Sequence, residues 1–438
     1  MGNAKDGQAF IPSTEKKRII IAGGGFGGLK LARRLTGKNY QVVLIDRHNY
    51  HQFQPLLYQV ATAGLEPSSI SFPLRKIFQN KPDLHFRMTS LLKIDPAGKK
   101  IVTDIGLMKY DFLVLAMGVN TNFLGIDSIE KNTIPMKTVS ESIYLRNKIL
   151  MNFEKALNLS GNEDIDPLLN YVIVGGGPTG VELAGALAEM KKYVLPKDYP
   201  ELDSSRMQIH LLEAAPQLLS GMSDKSAKVA QHYLEDLGVD IRFKAFVTGY
   251  DGNRISIKDS DPLESKTVIW AAGVKGEKIS GLPEDSFDKL RRVKVDQYNR
   301  LPAFPDIFAI GDMASMVTKD YPKGHPQLAQ VAIQQGIHLS KNLKRMAIGH
   351  TPEIFRYKHK GSLATVGRKL AVADLPGIRL KGFSAWFVWL VVHIMQLVGI
   401  KNRFFVFMNW WWNYVLYSQS LRLLIRPKLF RYQEKISE

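Results

Sequence analysis

The chain has 438 residues, 45% of them hydrophobic and 23% charged, with no cysteine and a net charge of +18. That length suits two or three globular domains of roughly 150 residues each, and without cysteine there is no disulfide, thiolate metal centre, iron–sulfur cluster or redox dithiol. The positive balance implies an anionic partner, such as phosphate-bearing cofactors or anionic lipid, and no zinc finger, RNP-like aromatic pattern or basic heptad region points to nucleic acid.

The N-terminal stretch has no apolar secretory core, and Asp6 spoils the myristoylation pattern behind Gly2, so a cytoplasmic start is expected. The run Ile19–Ala22 reads as a buried parallel strand. It leads into Gly23-Gly24-Gly25-Phe26-Gly27-Gly28, a helix from Leu29 to Leu35, and a second strand, Gln41–Ile45, ending on Asp46. Gly23, Gly25 and Gly28 fit G-x-G-x-x-G in a strand–turn–helix–strand unit, with an acid 18 residues past the last glycine, the context of a dinucleotide fingerprint. A side chain at Gly23 or Gly25 is expected to hold a pyrophosphate off the helix N-terminus, whose free N–H groups bind the anion. Gly28 is expected to let the helix pack on the strand, and Asp46 to accept both hydroxyls of an adenosine ribose.

After Arg47, HNYHQFQPLLYQVATAGLEPSSI is poorly periodic and reads as a long loop placed to cover the middle of a bound cofactor. Arg75–Phe78 reads as a short helix, and His85–Met88 and Lys100–Asp104 as strands. Tyr110–Ala116 is a buried strand running into Met117-Gly118, where glycine allows a close approach to the same cofactor. A second copy of the opening pattern follows, with strand Tyr171–Val174, Gly175, Gly177 and Gly180, helix Thr179–Met190, and strand Gln208–Leu212 ending in Glu213. A polar, Pro-containing insertion, Lys191–Arg206, reads as a surface loop. Lys266–Ala271 repeats the Tyr110–Ala116 theme and runs through Ala272 to Gly273, and Asp306–Asp312 is another strand stopping on Gly311-Asp312. A helix starting near Pro326 places Gln327, Gln330 and Gln334 on one face and Ala329, Ala332 and Gly336 on a small-residue face.

From Lys381 the character changes. Two apolar pieces, Phe383–Ile400 and Phe404–Ile425, are separated by Lys401-Asn402-Arg403 and hold every tryptophan except Trp270. Polar stripes run through both, His393 with Gln396 in the first and Asn402, Asn409, Asn413 and Ser420 in the second; Arg422, Arg426, Lys428 and Arg431 follow.

Two fingerprints, the second between pieces of the first, resemble the two-dinucleotide-binding-domain flavoproteins. The implied fold is α/β, with two Rossmann-like domains of glutathione-reductase type. An FAD domain would be made of 1–130 and 286–380, an NADH domain of 131–285, and amphipathic membrane-anchoring helices of 381–438. On this resemblance Gly23, Gly25, Phe26, Gly27, Gly28, Asp46 and Arg47 hold the ADP half of FAD, with Ala116 and Gly118 close by. Gly311 and Asp312 take the ribityl or phosphate end, and Gln54, Pro55 and Leu56 face the isoalloxazine. Gly175, Gly177, Pro178, Thr179, Gly180, Glu213, Ala272 and Gly273 hold the nicotinamide dinucleotide. Glu213 sits where a 2′-phosphate would go, which favours NADH over NADPH unless it simply ends a strand.

The finer match is to the type II NADH dehydrogenases, the non-proton-pumping NADH:quinone oxidoreductases, through HNYHQFQPLLYQVATAGL, GGGPTGVELAGALAE, AIGD, AQVAIQQG and KGFSAW. This resemblance implies a monotopic respiratory enzyme on the cytoplasmic face of the membrane, usually a homodimer. Ubiquinone or menaquinone would reach the flavin from the bilayer side. Gln330 and Gln334 would line the quinone site with Ala329 and Ile333, Ala329 and Ala332 would leave room for a planar ring, and Lys381 would stand at the tunnel mouth. Glu182 would lie near nicotinamide and flavin, either relaying protons or merely favouring the helix dipole. The expected reaction is hydride from NADH to FAD, then two electrons and two protons to quinone, with no metal involved. The rival reading, a soluble ferredoxin- or rubredoxin-type reductase, has no use for the tail. For that tail, helices lying in the membrane interface are expected over a spanning hairpin. Spanning needs about 20 apolar residues, polar stripes are costly facing lipid, tryptophan prefers the headgroup level, and terminal basic residues suit anionic lipid.

Overall fold

A computed structural model describes residues 7–37, 39–159, 164–416 and 422–424. The chain opens with β1 (Lys17–Ala22), α1 (Phe26–Leu35), β2 (Tyr40–Asp46), β3 (Leu84–Met88) and β4 (Phe112–Leu115). These strands lie parallel in the order β4-β1-β2-β3, with Ile19 of β1 opposite Val42 on one side and Phe112 on the other. Ile19, Ile20 and Ile21 are fully buried, as expected of a continuous β-branched run covered on both faces. Helix α2 (Val139–Leu157) carries the chain away; Thr138 accepts the Glu141 N–H and the Glu141 side chain reaches back to the Thr138 N–H, a closed capping box.

A second parallel sheet follows, built from β5 (Asn170–Val174), α3 (Pro178–Tyr193), β6 (Gln208–Glu213), β7 (Asp240–Phe243) and β8 (Thr267–Trp270) in the order β8-β5-β6-β7. The chain then returns to the first sheet with β9 (Phe304–Ala309), alongside β4, and α4 (Ala329–Ala347), which crosses α1. That crossing is close: a Cβ on Gly336 would lie 2.5 Å from the Gly27 carbonyl oxygen. Next come three antiparallel strands, β10 (Ser362–Gly367), β11 (Leu370–Leu375) and β12 (Ile378–Lys381), which the sequence reading did not foresee. They press on α3, where a Cβ on Gly185 would stand 2.2 Å from the Val366 carbonyl oxygen. Two helices, α5 (Gly382–Gln396) and α6 (Ile400–Leu416), complete the described chain and meet through the Trp389 and Trp410 rings, with centroids 5.2 Å apart.

Four local expectations need correction. The stretch after Arg47 is ordered rather than looped: Tyr50–Gln52 pairs with Ser71–Pro73, and two short helices, Leu57–Ala61 and Pro67–Ile70, lie between. The insertion after Lys191 begins by finishing α3, then buries Leu195 completely and ties Arg206 to Asp166 at 2.7 Å. Helix α4 starts at Ala329 rather than near Pro326, so Gln327 lies outside it and donates to the Asp312 carbonyl at 3.0 Å. The tail helices break at Gly399, whose φ of +87° suits glycine, and Lys401-Asn402-Arg403 belongs to α6.

Candidate active site

The two fingerprints repeat each other in detail. Gly23 has φ +110° and Gly175 φ +113°, and a Cβ on either would strike a carbonyl of the neighbouring strand, Ala116 O at 2.3 Å or Ala271 O at 2.6 Å. A Cβ on Gly28 or Gly180 would lie 1.9 Å from the carbonyl oxygen of Gly23 or Gly175. These four glycines therefore answer to the chain itself, which corrects the expectation that Gly23 makes room for phosphate. Gly25 and Gly177 differ, because a Cβ there meets nothing within 4 Å. They are the N-caps of α1 and α3, and neither helix has a side-chain cap. At each, open space faces uncapped N–H groups, the arrangement that takes a phosphate. The strand-end acids match too. Asp46 accepts the Gly24 N–H at 2.6 Å and the His48 N–H at 2.7 Å; Glu213 accepts the Gly176 N–H and, at 2.7 Å, the Ala215 N–H. Both turns are pinned by a carboxylate that keeps lone pairs for a ribose.

One cavity of about 1730 Å3 takes its lining from both folds. Drug-sized ligand sites run to about 300–1,000 Å3, so this volume accommodates more than one ligand. Its wall takes Gly23, Gly25, Phe26, Gly27, Asp46 and Arg47 from the first fingerprint, Gln54, Pro55, Ala116 and Gly118 from the same fold, and Gly311 and Asp312 after β9. Pro178, Thr179, Glu182 and Gly273 enter from the second fold, and Ala329, Gln330 and Ala332 from α4. The α4 N-cap, Leu328, supplies no side-chain hydrogen bond, so a third uncapped N-terminus faces the space. The residues present fit FAD on this geometry, namely a glycine cradle at an uncapped helix end, a strand-end acid, and a second uncapped helix end across the cavity.

Several expected residues stand elsewhere. Leu56 is fully buried in the core, and Leu57 lines the cavity in its place. Gly28, Gly175, Gly177, Gly180, Glu213 and Ala272 are not among the lining residues, nor are Ile333, Gln334 and Lys381. Lys381 is an exposed N-cap of α5. Gln334 donates to the Lys358 carbonyl at 2.8 Å and accepts its N–H at 3.0 Å, and Gln330 does the same with Gly361 O and Lys360 N, both at 3.0 Å. Both amides thus hold the 358–361 segment against α4; of the two, Gln330 also reaches the cavity.

Glu182 is 8% exposed. Burial pushes its carboxyl up to about 8, weakly opposed by the Thr365 N–H. Asp312 is raised by burial, with Lys137 opposing, while burial lowers Lys137. Lys137 lines the cavity and was not singled out from sequence; the TVSE capping signature places it just before a helix. Gln335 was missed as well. It is fully buried, accepts the Gly311 N–H at 2.7 Å, and so positions the Gly-Asp turn. The polar stripe of α5, half-buried His393 and exposed Gln396, lines the cavity, and His393 Nδ1 donates to the Trp389 carbonyl at 2.7 Å. Burial brings the imidazole down to about 4, so it is neutral and its Nδ1 carries the proton.

Two dinucleotide folds opening on one cavity define a pyridine-nucleotide oxidoreductase of the two-domain flavoprotein class. The pattern described as pyridine nucleotide-disulphide oxidoreductase matches residues 17–336, and that described as the NDH2 C-terminal domain matches residues 359–416. The type II NADH:quinone oxidoreductase Ndh of Mycobacterium tuberculosis is 36% identical over 410 residues, covering 90% of this chain and 87% of that protein. The type II NADH:quinone oxidoreductase of Staphylococcus epidermidis is 29% identical, over 89% and 98%. The solved NDH2 of Plasmodium falciparum in complex with NADH shares the fold, with a TM-score of 0.86 at 23% identity, over 94% of this chain and 100% of that one. The chain belongs to the type II NADH:quinone oxidoreductases. Its cofactors are FAD and NADH.

Proposed function

We propose that the main cavity is the whole catalytic chamber, with FAD along the first fingerprint, NADH entering past Pro178 and Thr179, and quinone entering beside α4 and α5. Bound there, FAD would supply the two-electron chemistry that links hydride from NADH to quinone. The chain's own task is positioning and electrostatics. Gly25 and the α1 N-terminus hold the pyrophosphate, and Asp46 the ribose. Lys137 and Asp312 set the charge at the far end of the cofactor, and the α4 N-terminus favours negative charge on its ring. Gln330 keeps an amide hydrogen for a quinone oxygen, Glu182 holds a proton at neutral pH beside the same space, and Glu213 disfavours a 2′-phosphate. The observation that carries this reading is that a single cavity takes walls from both fingerprints and from α5.

The membrane is proposed to lie against α5 and α6. Phe383, Phe387, Met395, Phe404, Trp411 and Trp412 are each more than half exposed, and large apolar groups clustered on one face suit a headgroup boundary. Trp389, Trp410 and Asn402 point the other way; Trp410 donates to Gln59 at 2.7 Å and Asn402 to Ser68 O at 3.3 Å. Among the described residues no helix is long and apolar enough to cross a membrane. Arg422 is held by Asp198 and is not free for lipid; Ser420, Arg426, Lys428 and Arg431 lie outside the described residues, as do the side-chain surroundings of Asn413. A homodimer on the cytoplasmic membrane face completes the proposal. Anaerobic NADH followed by a short-chain quinone, watched by flavin absorbance, tests it. The expected result is bleaching, then recovery; recovery with ferredoxin but not with quinone would overturn it.

A further inference from the structure

A second cavity, of about 130 Å3, backs onto Glu182. Tyr58 and Glu182 line both cavities, whereas Glu189, Thr365 and Trp410 line the smaller one alone. Glu189 stands roughly two turns along α3 from Glu182, on the same face. It is half-buried, and its carboxylate accepts the Arg368 N–H. Part of the wall of this cavity is hydrogen-bonded: Tyr58 Oη and Thr365 Oγ1 are 3.1 Å apart, Gln59 donates to Tyr58 Oη at 2.9 Å, and Trp410 donates to Gln59 at 2.7 Å. A polar cavity needs only about 10–15 Å3 to hold one water, so this one has room for several.

The reaction needs such a route. In NADH + H+ + quinone → NAD+ + quinol, hydride supplies both electrons and one proton, and the second proton comes from solvent. We propose that Glu189 takes up that proton, the second cavity conducts it, and Glu182 delivers it into the catalytic chamber. This rests on the quinone-reductase reading above. Glu189 keeps partial solvent exposure, so it exchanges with bulk water, while Glu182, with Tyr58, belongs to the walls of both cavities. The groups facing Glu189 are Arg368 from the β10–β11 turn, Lys192 and Tyr193 of α3, and Tyr58. Burial lifts Glu189 to about 7, against Arg368 and Lys192, close to the value a proton exchanger needs at neutral pH.

The test uses the full chain loaded with FAD. In E189Q, bleaching of the flavin by NADH should keep its wild-type rate. Recovery with a short-chain quinone should slow at least tenfold above pH 7, with a larger solvent isotope effect. E189D should regain most of the rate, and millimolar imidazole should rescue E189A. Without turnover, infrared titration should show a carboxylic C=O band titrating near pH 7 in the wild type and absent in E189Q. Recovery within twofold of wild type at every pH, or a band titrating near pH 7 that is unchanged in E189Q, overturns the relay; the Glu182 band, titrating near 8, is expected in both proteins. A wild type that reduces no quinone brings down both the functional reading and the relay. A wild type that does, with E189Q equal to it, brings down the relay alone.

Discussion

The two fingerprints share their backbone and differ in what they face. In the first, Gly23, Gly25 and Gly27 all line the main cavity; in the second, Pro178, Thr179 and Glu182 do, and the glycines stand behind them. The residue two past the last glycine differs most. It is Lys30 in the first helix, half-buried and lowered by burial and by Arg33, Arg34 and Lys360; it is Glu182 in the second, buried and raised. One turn geometry thus serves two purposes. The glycines that meet carbonyls build the fold, the ones that meet open space leave a helix N-terminus uncovered, and the position after them carries opposite charge types in the two copies.

The comparison is broken most severely at its tightest glycines. Gly28→Ala and Gly180→Ala each place a Cβ 1.9 Å from a backbone carbonyl, and overpacking costs about 1–3 kcal/mol or more where backbone must move. Gly28→Ala is expected to emerge colourless and poorly folded. Gly180→Ala is expected to keep FAD but to lose bleaching by NADH, while dithionite still bleaches it. Absorbance and thermal unfolding of both variants separate these outcomes.

Gly25→Ala and Gly177→Ala sharpen the contrast, because neither added methyl meets the chain and both residues have extended, negative-φ backbones. Unfolding temperatures should stay within a degree or two of wild type. The FAD dissociation constant of the first and the KM for NADH of the second should each rise about tenfold, the equivalent of about 1.4 kcal/mol. Fluorescence titration of the apoprotein and steady-state kinetics read the two effects. A fall in stability without a loss of affinity would mean that these positions too serve the fold.

A smaller effect is expected at the strand-end acids. Each carboxylate accepts two backbone N–H groups, and an amide can replace only one of those acceptors, at a cost of about 1–3 kcal/mol for the donor left over. Asp46→Asn should weaken FAD retention. Glu213→Gln should raise kcat/KM for NADPH relative to NADH severalfold, by removing repulsion of the 2′-phosphate. An unchanged ratio would leave Glu213 as a turn residue alone.

Sequence periodicity made the parallel strands legible because buried β-branched runs ending in glycine leave little choice. β1, β5 and β8 lie within a residue or two of where they were expected. Strands β10–β12 were hidden because Ala-, Gly- and charge-rich hairpin strands lack that signature, and their packing on Gly185 is a tertiary fact. The site divides in the same way. Gly25 and Asp46 carry local signals, whereas Lys137, Gln335 and His393 become cavity or turn residues only when distant elements meet. Leu56 and Leu57 show the limit of local reading: both are buried in the core, and a one-residue difference decides that Leu57 also reaches the cavity.

The last test concerns Glu182 itself, whose counterpart in the first fingerprint is a cation. Its ordinary carboxyl value is 4.5 and burial lifts it to about 8, so between those values the folded chain binds a proton that the unfolded chain has released. Its contribution to stability is complete below pH 4.5 and drains away as pH rises through about 8. Glu182→Gln keeps the shape and removes the titration, so the wild type should lose stability relative to the variant across that window, and the two should run parallel below it. Glu189, raised to about 7, adds a slope of the same sign, which survives in Glu182→Gln and ends about a unit lower. Unfolding midpoints measured at intervals between pH 4 and 9 read the difference directly. Equal slopes would mean that Glu182 is ionised in the folded chain, and a carboxylate already ionised there would have no proton to hand to the chamber at neutral pH.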